Sequence, residues 1–455
     1  SPYEIEEIIV LKDAAASVLY GMRGSNGAIL VNTRKGALGK PQVELTVQMI
    51  NQQPVKQLKR MNALGYATHY NAARVNDGQS PFYSDHYLSQ YRNEVNSELY
   101  PDVDWVDEML KKSSWMQRYN LNMHGGSQKV RYFFNAGYLT QNGFYKTDNE
   151  NKYSTNNNVD RFNLRSNVEF DITSSTLLSL DLYGLHETQN RPGNNAAQVY
   201  RILQSTPSNA FPKYYLDNGE YLDHTGNRIN SVNGKIIAGD GRDNPWAFLN
   251  RSGYGTFRTT YGSFRARVLQ ELDMITQGLS ASVTLSMDSN SKSVNNRSKT
   301  YSSYLKSLDT ETPNVLDKNG TDTKMKNEII EKDSERRTTI EAQVSWKRTF
   351  DKHGISVSAF YNQYEASNEV NLPKRFQSIN GWASYNYDKR YGIDFLMSYS
   401  GAYVFNKNDR FGYFPTVSAG WTISNEAFFQ NLKPVITHLK LKGSYGQLGN
   451  WRGLT

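Results

Sequence analysis

Histidine, serine and carboxylate side chains are the groups in this chain that could carry out catalysis. The seven histidines are spread over the whole sequence, at positions 69, 86, 124, 186, 224, 353 and 438. His186-Glu187 is not followed by a second histidine at the spacing that holds zinc on one helix face. A Gly-x-Ser-x-Gly elbow is absent, and so is cysteine. We therefore expect no catalytic residue, no resident metal and no enzyme activity.

Asp102 and Asp104 form a carboxylate pair that could transfer protons. The same pair could instead serve a loop or the start of a helix, where an aspartate accepts hydrogen bonds from backbone N–H groups. The second role suits the surrounding sequence better, so the pair is not a catalytic candidate.

An aromatic stretch between residues 189 and 255 has the chemistry of a recognition surface. Aromatic faces beside amides and carboxylates can stack on sugar rings and hydrogen-bond their hydroxyls, and they also suit peptide backbones. The candidates that would face a substrate are Tyr214, Tyr215, Asp217, Tyr221 and Trp246. The alternative is that these aromatics pack the long loop onto itself or onto a partner. Asp217-Asn218-Gly219 reads as an ordinary turn, with calcium binding as the alternative there.

The strongest pattern in the chain is a strict two-residue alternation of apolar and polar side chains. Val43, Leu45, Val47 and Met49 alternate with polar residues, and the same pattern recurs downstream. In a strand this alternation places one set of side chains on each face. We count about 13 such strands of about 10 residues, the length that a tilted strand needs to cross a bilayer.

The links between these strands alternate between short and long. The longest ones are expected at residues 52–114, 189–255 and 289–337, and a stretch at 424–437 is longer than its neighbours on the short side. Short turns on one rim and long loops on the other are typical of an outer-membrane barrel, with periplasmic turns and extracellular loops. The alternative is a water-soluble β-sandwich or solenoid whose apolar face is internal.

Composition excludes several classes of protein. The chain has 455 residues, 38% of them apolar and 13% aromatic, which is too aromatic for a disordered chain. No apolar run approaches the roughly 20 residues of a membrane-spanning helix. The net charge of +8 is spread along the sequence without a dense Lys/Arg run, so we expect no nucleic-acid partner.

Residues 1–36 differ from the rest of the chain. Ile8 to Leu11 predicts a strand, Asp13 could cap a helix of small residues through Leu19, and a second strand is expected over residues 28–33. A turn before that second strand contains Gly21, Gly24, Asn26 and Gly27. A phosphate-binding loop would precede its helix, whereas these glycines follow one, so nucleotide binding is not expected.

Several stretches of this sequence resemble one known family. The run IEEIIVLKDAAASVLYGMRGSNGAILVNTRKG at 5–36 closely resembles the end of the plug domain in SusC/RagA-type TonB-dependent transporters. Further similar stretches occur in family order at 99–105, 124–127, 161–167, 410–421 and 439–450, the last two reading RFGYFPTVSAGW and LKLKGSYGQLGN. The opening and closing stretches are the most specific.

The resemblance implies a transmembrane antiparallel barrel of 22 strands around a small α+β plug. Residues 1–36 would be the C-terminal part of the plug, and residues 37–455 the N-terminal part of the barrel. The remaining strands would follow Thr455, and the first part of the plug would precede Ser1, because an open set of strands leaves unpaired edges that lipid does not tolerate.

The resemblance also implies a function: active import of an oligosaccharide or oligopeptide across the outer membrane of a Gram-negative bacterium. Its partners would be a SusD/RagB-like surface lipoprotein, the lipid bilayer, and the TonB complex acting through a segment before Ser1. A dimer of transporter–lipoprotein pairs is a further expectation, and no cofactor is implied. The alternative function is a non-transporting surface β-protein that binds glycan or peptide.

Overall fold

The computed structural model describes residues 2–12, 18–57, 59–95, 97–232, 234–306, 314–368 and 370–450. Most of the secondary structure in these residues is β. The strands are β1 (Ile5–Leu11), β2 (Ala28–Thr33), β3 (Gly39–Gln52), β4 (Ser114–Gly126), β5 (Val130–Gln141), β6 (Asn158–Asp171), β7 (Thr176–Pro192), β8 (Tyr214–Leu216), β9 (Leu222–Asp223), β10 (Lys235–Ile237), β11 (Gly253–Glu271), β12 (Leu279–Ser298), β13 (Ser303–Lys306), β14 (Val315–Asn319), β15 (Lys326–Phe350), β16 (His353–Asn368), β17 (Lys374–Tyr387), β18 (Tyr391–Ala402), β19 (Phe411–Thr422) and β20 (Lys440–Gly446).

Thirteen of these strands form one antiparallel sheet, which we call the wall. Its order is β3, β4, β5, β6, β7, β11, β12, β15, β16, β17, β18, β19 and β20, so that successive wall strands are always neighbours. In the described residues the two end strands, β3 and β20, pair only on one side. The predicted fold class and the strand count are confirmed: this is an open, partial meander of barrel type.

Burial on the two faces of the wall is the reverse of that in a protein surrounded by water, where apolar side chains are buried and polar side chains are exposed. On one face the apolar side chains are exposed, with Leu45 at 65% and Phe395 at 53% of their full accessible surface. On the other face polar side chains are buried, and Asn135 and Ser398 are both fully inaccessible. The Val43/Leu45/Val47 face carries no second protein layer in the described residues. A soluble sandwich would show the opposite arrangement.

The strands are longer than the alternation predicts. Most wall strands have 12 to 20 residues and β15 has 25, and the two links expected at 189–255 and 289–337 shrink to 193–252 and 299–325. The residues that lengthen the strands beyond the alternation mainly carry hydroxyl, amide or charged side chains. For example, Thr259 and Thr260 of β11 pair with Lys292 and Ser291 of β12. Backbone pairing continues regardless of side-chain polarity, so the apolar alternation marks only part of each strand.

The N-terminal hairpin is formed by β1 and β2, which pair antiparallel with Leu11 opposite Ala28. Between them a 3-10 segment covers Val18–Gly24, and another, Pro2–Glu4, precedes β1. The expected helix beginning at Asp13 falls largely on residues 13–17, which lie outside the described residues. The division into a plug at 1–36 and a barrel from 37 stays a prediction.

The long links contain secondary structure of their own. Their helices are α1 (Ala63–Asn76), α2 (Asp85–Asn93), α3 (Trp105–Met109), α4 (Ala196–Ser205) and α5 (Pro245–Asn250). Strands β8 and β10 pair with each other, and β13, β14 and β9 form a three-stranded sheet. On the opposite rim, the link after β19 forms two 3-10 helices, Ile423–Asn425 and Ala427–Leu432. None of the described helices has the length and apolar character needed to span a membrane.

Candidate functional site

The N-terminal hairpin lies against the polar face of the wall, and Glu4 anchors one end of it. The Glu4 carboxylate accepts hydrogen bonds from Asn163 Nδ2 at 2.7 Å and Arg165 Nε at 2.8 Å, both on β6. Glu4 is only 2% exposed. A buried carboxylate is stable only when it is paired and hydrogen-bonded, so this contact holds the start of β1 at a defined place on the wall.

An amide ladder continues this contact across three wall strands. Asn163 Nδ2 also donates to Asn135 Oδ1 on β5 at 3.1 Å. Asn135 Nδ2 in turn donates to the side-chain oxygens of Asn120 at 2.9 Å and Asn122 at 2.6 Å, both on β4. The wall face that contacts the hairpin is therefore bound together by side-chain hydrogen bonds rather than by an apolar core.

The same end of the hairpin, where Ile5 pairs with Thr33, is also held by charge and by a close backbone approach. Lys35 Nζ lies 3.2 Å from the Glu169 carboxylate, which also pairs with Arg131 at 3.3 Å. A Cβ added to Gly36 would lie 2.2 Å from the backbone nitrogen of Tyr132 on β5. Only glycine allows the chain to pass this close to the wall.

The predicted glycine turn contacts a different part of the wall. Gly21 has a φ of 57°, and a Cβ added there would lie 3.1 Å from atoms of Phe376 and Ser400 on β17 and β18. Met22 is buried among Tyr364, Phe376 and neighbouring side chains, and Arg23 lies 4.6 Å above the Tyr364 ring. The hairpin therefore touches two separate regions of the wall, β4–β6 and β16–β18.

The remaining turn residues shape the hairpin itself. Gly27 has a φ of 83° and donates its backbone N–H to the Gly24 carbonyl at 2.9 Å, with Asn26 between them. A Cβ on Gly27 would lie 2.6 Å from the Leu11 carbonyl oxygen. These positions serve the tight return into β2, and their wider role in a plug stays a prediction.

A cavity of about 280 Å³ separates the hairpin from β6, β7 and β11. Glu4, Arg165, Asp181, Tyr183 and Tyr261 contribute its polar lining. Asp181 accepts a hydrogen bond from Asn167 at 2.5 Å, and the Arg165 guanidinium lies 4.6 Å above the Tyr183 ring. The contact between hairpin and wall is thus polar and incompletely filled.

The long links fold together into one globular unit, which we call the loop domain. Its core joins α3, α4 and α5 with the small strands and includes side chains from all four of the links 53–113, 142–157, 193–252 and 299–325. Trp105 is fully buried, donates Nε1–H to the Pro207 carbonyl at 3.2 Å and packs edge-on against Phe211. Asp104 caps α3 by accepting from the N–H groups of Val106 and Asp107, while Asp102 accepts from the N–H of Ala63. The helix-start and loop roles expected for the two aspartates are confirmed.

A buried charge cluster ties two of these links together. Asp148 pairs with Arg251 at 2.9 Å and with Lys235 at 3.5 Å, and its backbone N–H donates to Asn250 Oδ1. Burial by itself would lower the pKa of Lys235, but the hydrogen bond with Glu150 and the charge of Asp148 outweigh it and raise that pKa. The cluster therefore joins the links 142–157 and 193–252 through ion pairs.

The predicted substrate-facing residues all lie in the loop domain, mostly in its interior. Tyr215, Tyr221 and Trp246 are buried, which agrees with the alternative that these aromatic side chains pack the long loop onto itself. Tyr214 is partly exposed, with its ring 5.3 Å from Trp246. Asp217 is also partly exposed, and hydrogen bonds from Ser231 and the Gly219 N–H lower its pKa. Whether any of the five contacts cargo stays a prediction.

In the described part of the chain, no group of three or more His, Asp or Glu side chains is arranged to hold a metal ion. The Asp217 oxygen accepts from the Gly219 N–H at 2.8 Å, which is the geometry of an ordinary turn. Calcium binding at this turn stays a prediction.

Sequence reasoning missed an aromatic cluster on α1 and α2. It comprises Tyr66, Tyr70, Phe82, Tyr83, Tyr87, Tyr91 and Tyr100, linked by ring contacts of 5.0–6.4 Å. Burial raises the pKa of Tyr91 to about 12. The four-residue spacings from 66 to 70 in α1 and from 87 to 91 in α2 were the available signal, because they place the rings on one side of each helix.

Comparison with known proteins identifies relatives along almost the whole chain, although no family model matches it. TonB-dependent receptor P3 of Formosa agariphila is 26% identical over 468 residues, covering 99% of this chain and 42% of the receptor. TonB-dependent receptor SusC of Bacteroides thetaiotaomicron is 22% identical over 490 residues, covering 99% of this chain and 43% of SusC. The chain therefore spans less than half the length of these relatives.

Solved structures agree with these relatives in fold. The RagAB peptide importer matches in its open-open state with a TM-score of 0.69 at 16% identity, covering 99% of this chain and 51% of that chain. Its closed-closed state matches with a TM-score of 0.66. The names describe receptors and an importer rather than enzymes. The resemblance to SusC/RagA-type TonB-dependent transporters is confirmed.

Proposed function

We propose that this chain forms the end of the plug and the first part of the barrel wall of a TonB-dependent importer in the outer membrane of a Gram-negative bacterium. The observation that carries the proposal is the inverted wall with the N-terminal hairpin on its polar face. Exposed apolar side chains suit lipid, while the buried amides and hydroxyls suit a hydrated lumen that holds another segment of the chain.

The aromatic side chains of the wall support a bilayer location. Tyr391 and Trp421 stack 6.5 Å apart near one end of β18 and β19, and Tyr399 and Tyr413 lie 4.5 Å apart near the other end. All four share the face of the exposed Phe395. Two aromatic bands bordering an apolar zone are what the two interfaces of a membrane favour.

The cargo we propose is an oligopeptide or oligosaccharide, delivered with the help of a SusD/RagB-like lipoprotein above the loop domain. Two similar proteins support this class of cargo and partner. One is the RagAB peptide importer, which is similar in fold, and the other is SusC, which is similar in sequence. The loop domain supports it physically, because an ordered unit of four links can offer one stable surface to a partner. Transporter–lipoprotein pairs would associate as dimers.

The hairpin contacts suggest how the closed state is kept. Glu4, Lys35 and Gly21 fasten one hairpin to both β4–β6 and β16–β18, so that the hairpin crosses the space in front of the polar face. Because the outer membrane has no energy source of its own, opening would need force from TonB, applied through a segment before Ser1. Cargo would pass only after that force changes the packing in the lumen.

The test is uptake by whole cells that express the full-length protein carrying this chain. Fluorescent oligopeptides and oligosaccharides should accumulate in the periplasm only when both this protein and TonB are present. The matched control is the same strain without TonB, which should bind cargo at the surface but not accumulate it.

The alternative, a surface β-protein that only binds glycan or peptide, predicts equal cell-associated cargo with and without TonB. Extraction tests a further possibility, a water-soluble protein. A membrane barrel needs detergent for extraction and migrates differently on gels after heating. A full-length protein that stays in solution without detergent would contradict the barrel and both functions built on it.

A further inference from the structure

The longest link on the short-turn rim, residues 423–439, carries apolar side chains that nothing in the described chain covers. Phe428, Leu432 and Val435 are 67%, 52% and 85% exposed, and Ile436 is also exposed. By contrast Phe429, one residue after Phe428, is buried. The link therefore packs one side inward and presents an apolar side outward.

Glu426 ties the start of this link to the aromatic band of the wall. Its Oε1 accepts from Trp421 Nε1 at 3.0 Å, and its Oε2 accepts from Arg390 Nη1 at 3.0 Å. Glu426 is nearly inaccessible, and hydrogen bonds from Tyr391 and Trp421 lower its pKa. A buried, ionised carboxylate with these partners makes the position of the link specific.

Phe428 continues the apolar face of the wall past the strand ends. Its ring lies 6.5 Å from the Trp421 ring, edge-on. Trp421 sits opposite Tyr391, on the same face as the pair formed by Phe395 and Val417, whose side chains are exposed. The apolar surface of the link and the apolar surface of the wall are thus one continuous surface.

The charges around this surface indicate what would cover it. Lys389, in the turn before β18, and Lys433, directly after Leu432, are both exposed. Asn425 Nδ2 donates to the Lys389 carbonyl at 2.9 Å, which keeps the turn containing Lys389 close to the link. Aromatic and aliphatic side chains with lysines at their border fit the boundary between acyl chains and phosphate head groups.

We propose that residues 423–436 lie in the periplasmic leaflet of the bilayer, with Phe428 and Leu432 at the level of the upper acyl chains and Lys389 and Lys433 at the phosphates. The ligand is a phospholipid surface with anionic head groups. This inference rests on the proposed function, which supplies the bilayer. It adds a membrane-anchoring segment on the rim, and it makes Glu426 the positioning residue for that segment.

The test places a nitroxide spin label at Phe428→Cys in the full-length protein, in vesicles of phosphatidylethanolamine and phosphatidylglycerol. The described chain contains no cysteine, and any cysteine elsewhere is replaced by serine. Collisions with oxygen, which dissolves in lipid, are compared with collisions with a water-soluble nickel chelate. We expect oxygen contact at 428 to approach that of Phe395→Cys on the wall, and nickel contact to be severalfold below that of Lys129→Cys on the turn at 127–129.

The controls separate this inference from the proposed function. If Phe395→Cys is open to nickel, the wall itself is not in lipid and the proposed function fails. If Phe395→Cys is in lipid but Phe428→Cys is open to nickel, only the anchoring segment is disproved. A label at 428 that neither reagent reaches would show that another protein segment covers the patch, which also overturns the inference.

A second variant tests the role of Glu426. Glu426→Ala, combined with the label at 428, should raise nickel contact severalfold while the label at 395 is unchanged. Glu426→Gln keeps a side-chain oxygen for Trp421 and should give an intermediate value. Unchanged nickel contact in both variants would show that Glu426 does not position the segment.

Discussion

The wall and the loop domain are built from one chain but follow opposite rules of burial. In the loop domain Trp105 and Leu203 are fully buried, as in a protein surrounded by water. In the wall Phe395 is half exposed while Ser398, three residues away, is fully buried. The hydrophobic effect acts on both, but in the proposed barrel the wall has lipid outside and a polar lumen inside. The difference shows that burial by protein identifies a core only when the surrounding solvent is known.

The largest expected effect is in the loop domain. Trp105→Ala should lower the opening free energy of the loop domain by about 3–5 kcal/mol, because it leaves a cavity and an unpaired Pro207 carbonyl. Hydrogen exchange of the full-length protein in detergent measures this opening. Phe82→Ala, at a ring that is 65% exposed, is the control and should change it by less than about 1 kcal/mol. Equal effects would mean that the links share no core.

The second prediction concerns the wall, where the apolar side chains are exposed rather than buried. Phe395→Arg should destabilise the full-length protein in phospholipid vesicles by about 2–4 kcal/mol, because a cation on the lipid face must be desolvated. Urea unfolding in vesicles measures the difference, with Phe395→Ala as the control for lost side-chain volume. On a wall facing water, Arg would cost no more than Ala, and the comparison between the two regions would fail.

A smaller effect should come from the amide ladder on the polar face. Asn135→Leu removes the partner of Asn120, Asn122 and Asn163 together, which should cost about 1–3 kcal/mol in the same unfolding assay. Gln42→Leu, at an exposed amide with the parity of Glu44 on β3, is the control and should be close to neutral. If Asn135→Leu stabilised the protein, the polar face would be an ordinary core.

The smallest effect concerns alkaline pH. Burial raises the pKa of Tyr145 to about 12, with a minor contribution from Tyr200. Since the folded pKa exceeds the unfolded value, the stabilisation is complete below about pH 10 and is lost as the pH rises towards 12. Near pH 10.5 the loop domain should lose less than about 1 kcal/mol, measured by hydrogen exchange, and Tyr145→Phe should reduce that loss. Identical pH profiles for both proteins would contradict the assignment.

The alternation of side chains was enough to predict the wall. Val43, Leu45 and Val47 have the same signature as the strands that follow, and period-two patterns survive because in the proposed barrel every strand exposes one face to lipid. The strand ends were predicted less well, because the outer parts of β12 and β15 are mostly polar and lack the apolar alternation, although their backbones pair. Gly21 and Gly27 were expected to form a turn, and both have positive φ values.

The loop domain was the part that sequence reasoning could not resolve. Tyr215, Tyr221 and Trp246 could be interpreted as a cargo surface or as a core, because an aromatic side chain suits either. Their burial depends on α3 and on Leu316, which are more than 65 residues away along the chain. No local pattern reports such a contact.

By itself, the sequence determined the class of fold, since alternating polarity in strand after strand leaves few structures other than a meander with two unlike faces. Only the tertiary structure decided which residues meet: Glu4 with Arg165, Asp148 with Arg251, and Glu426 with Trp421. The physical reason is the distance along the chain between the residues that interact. Strand patterns arise from neighbours within a few residues, whereas buried charges are stable only beside partners that the chain brings together from far apart.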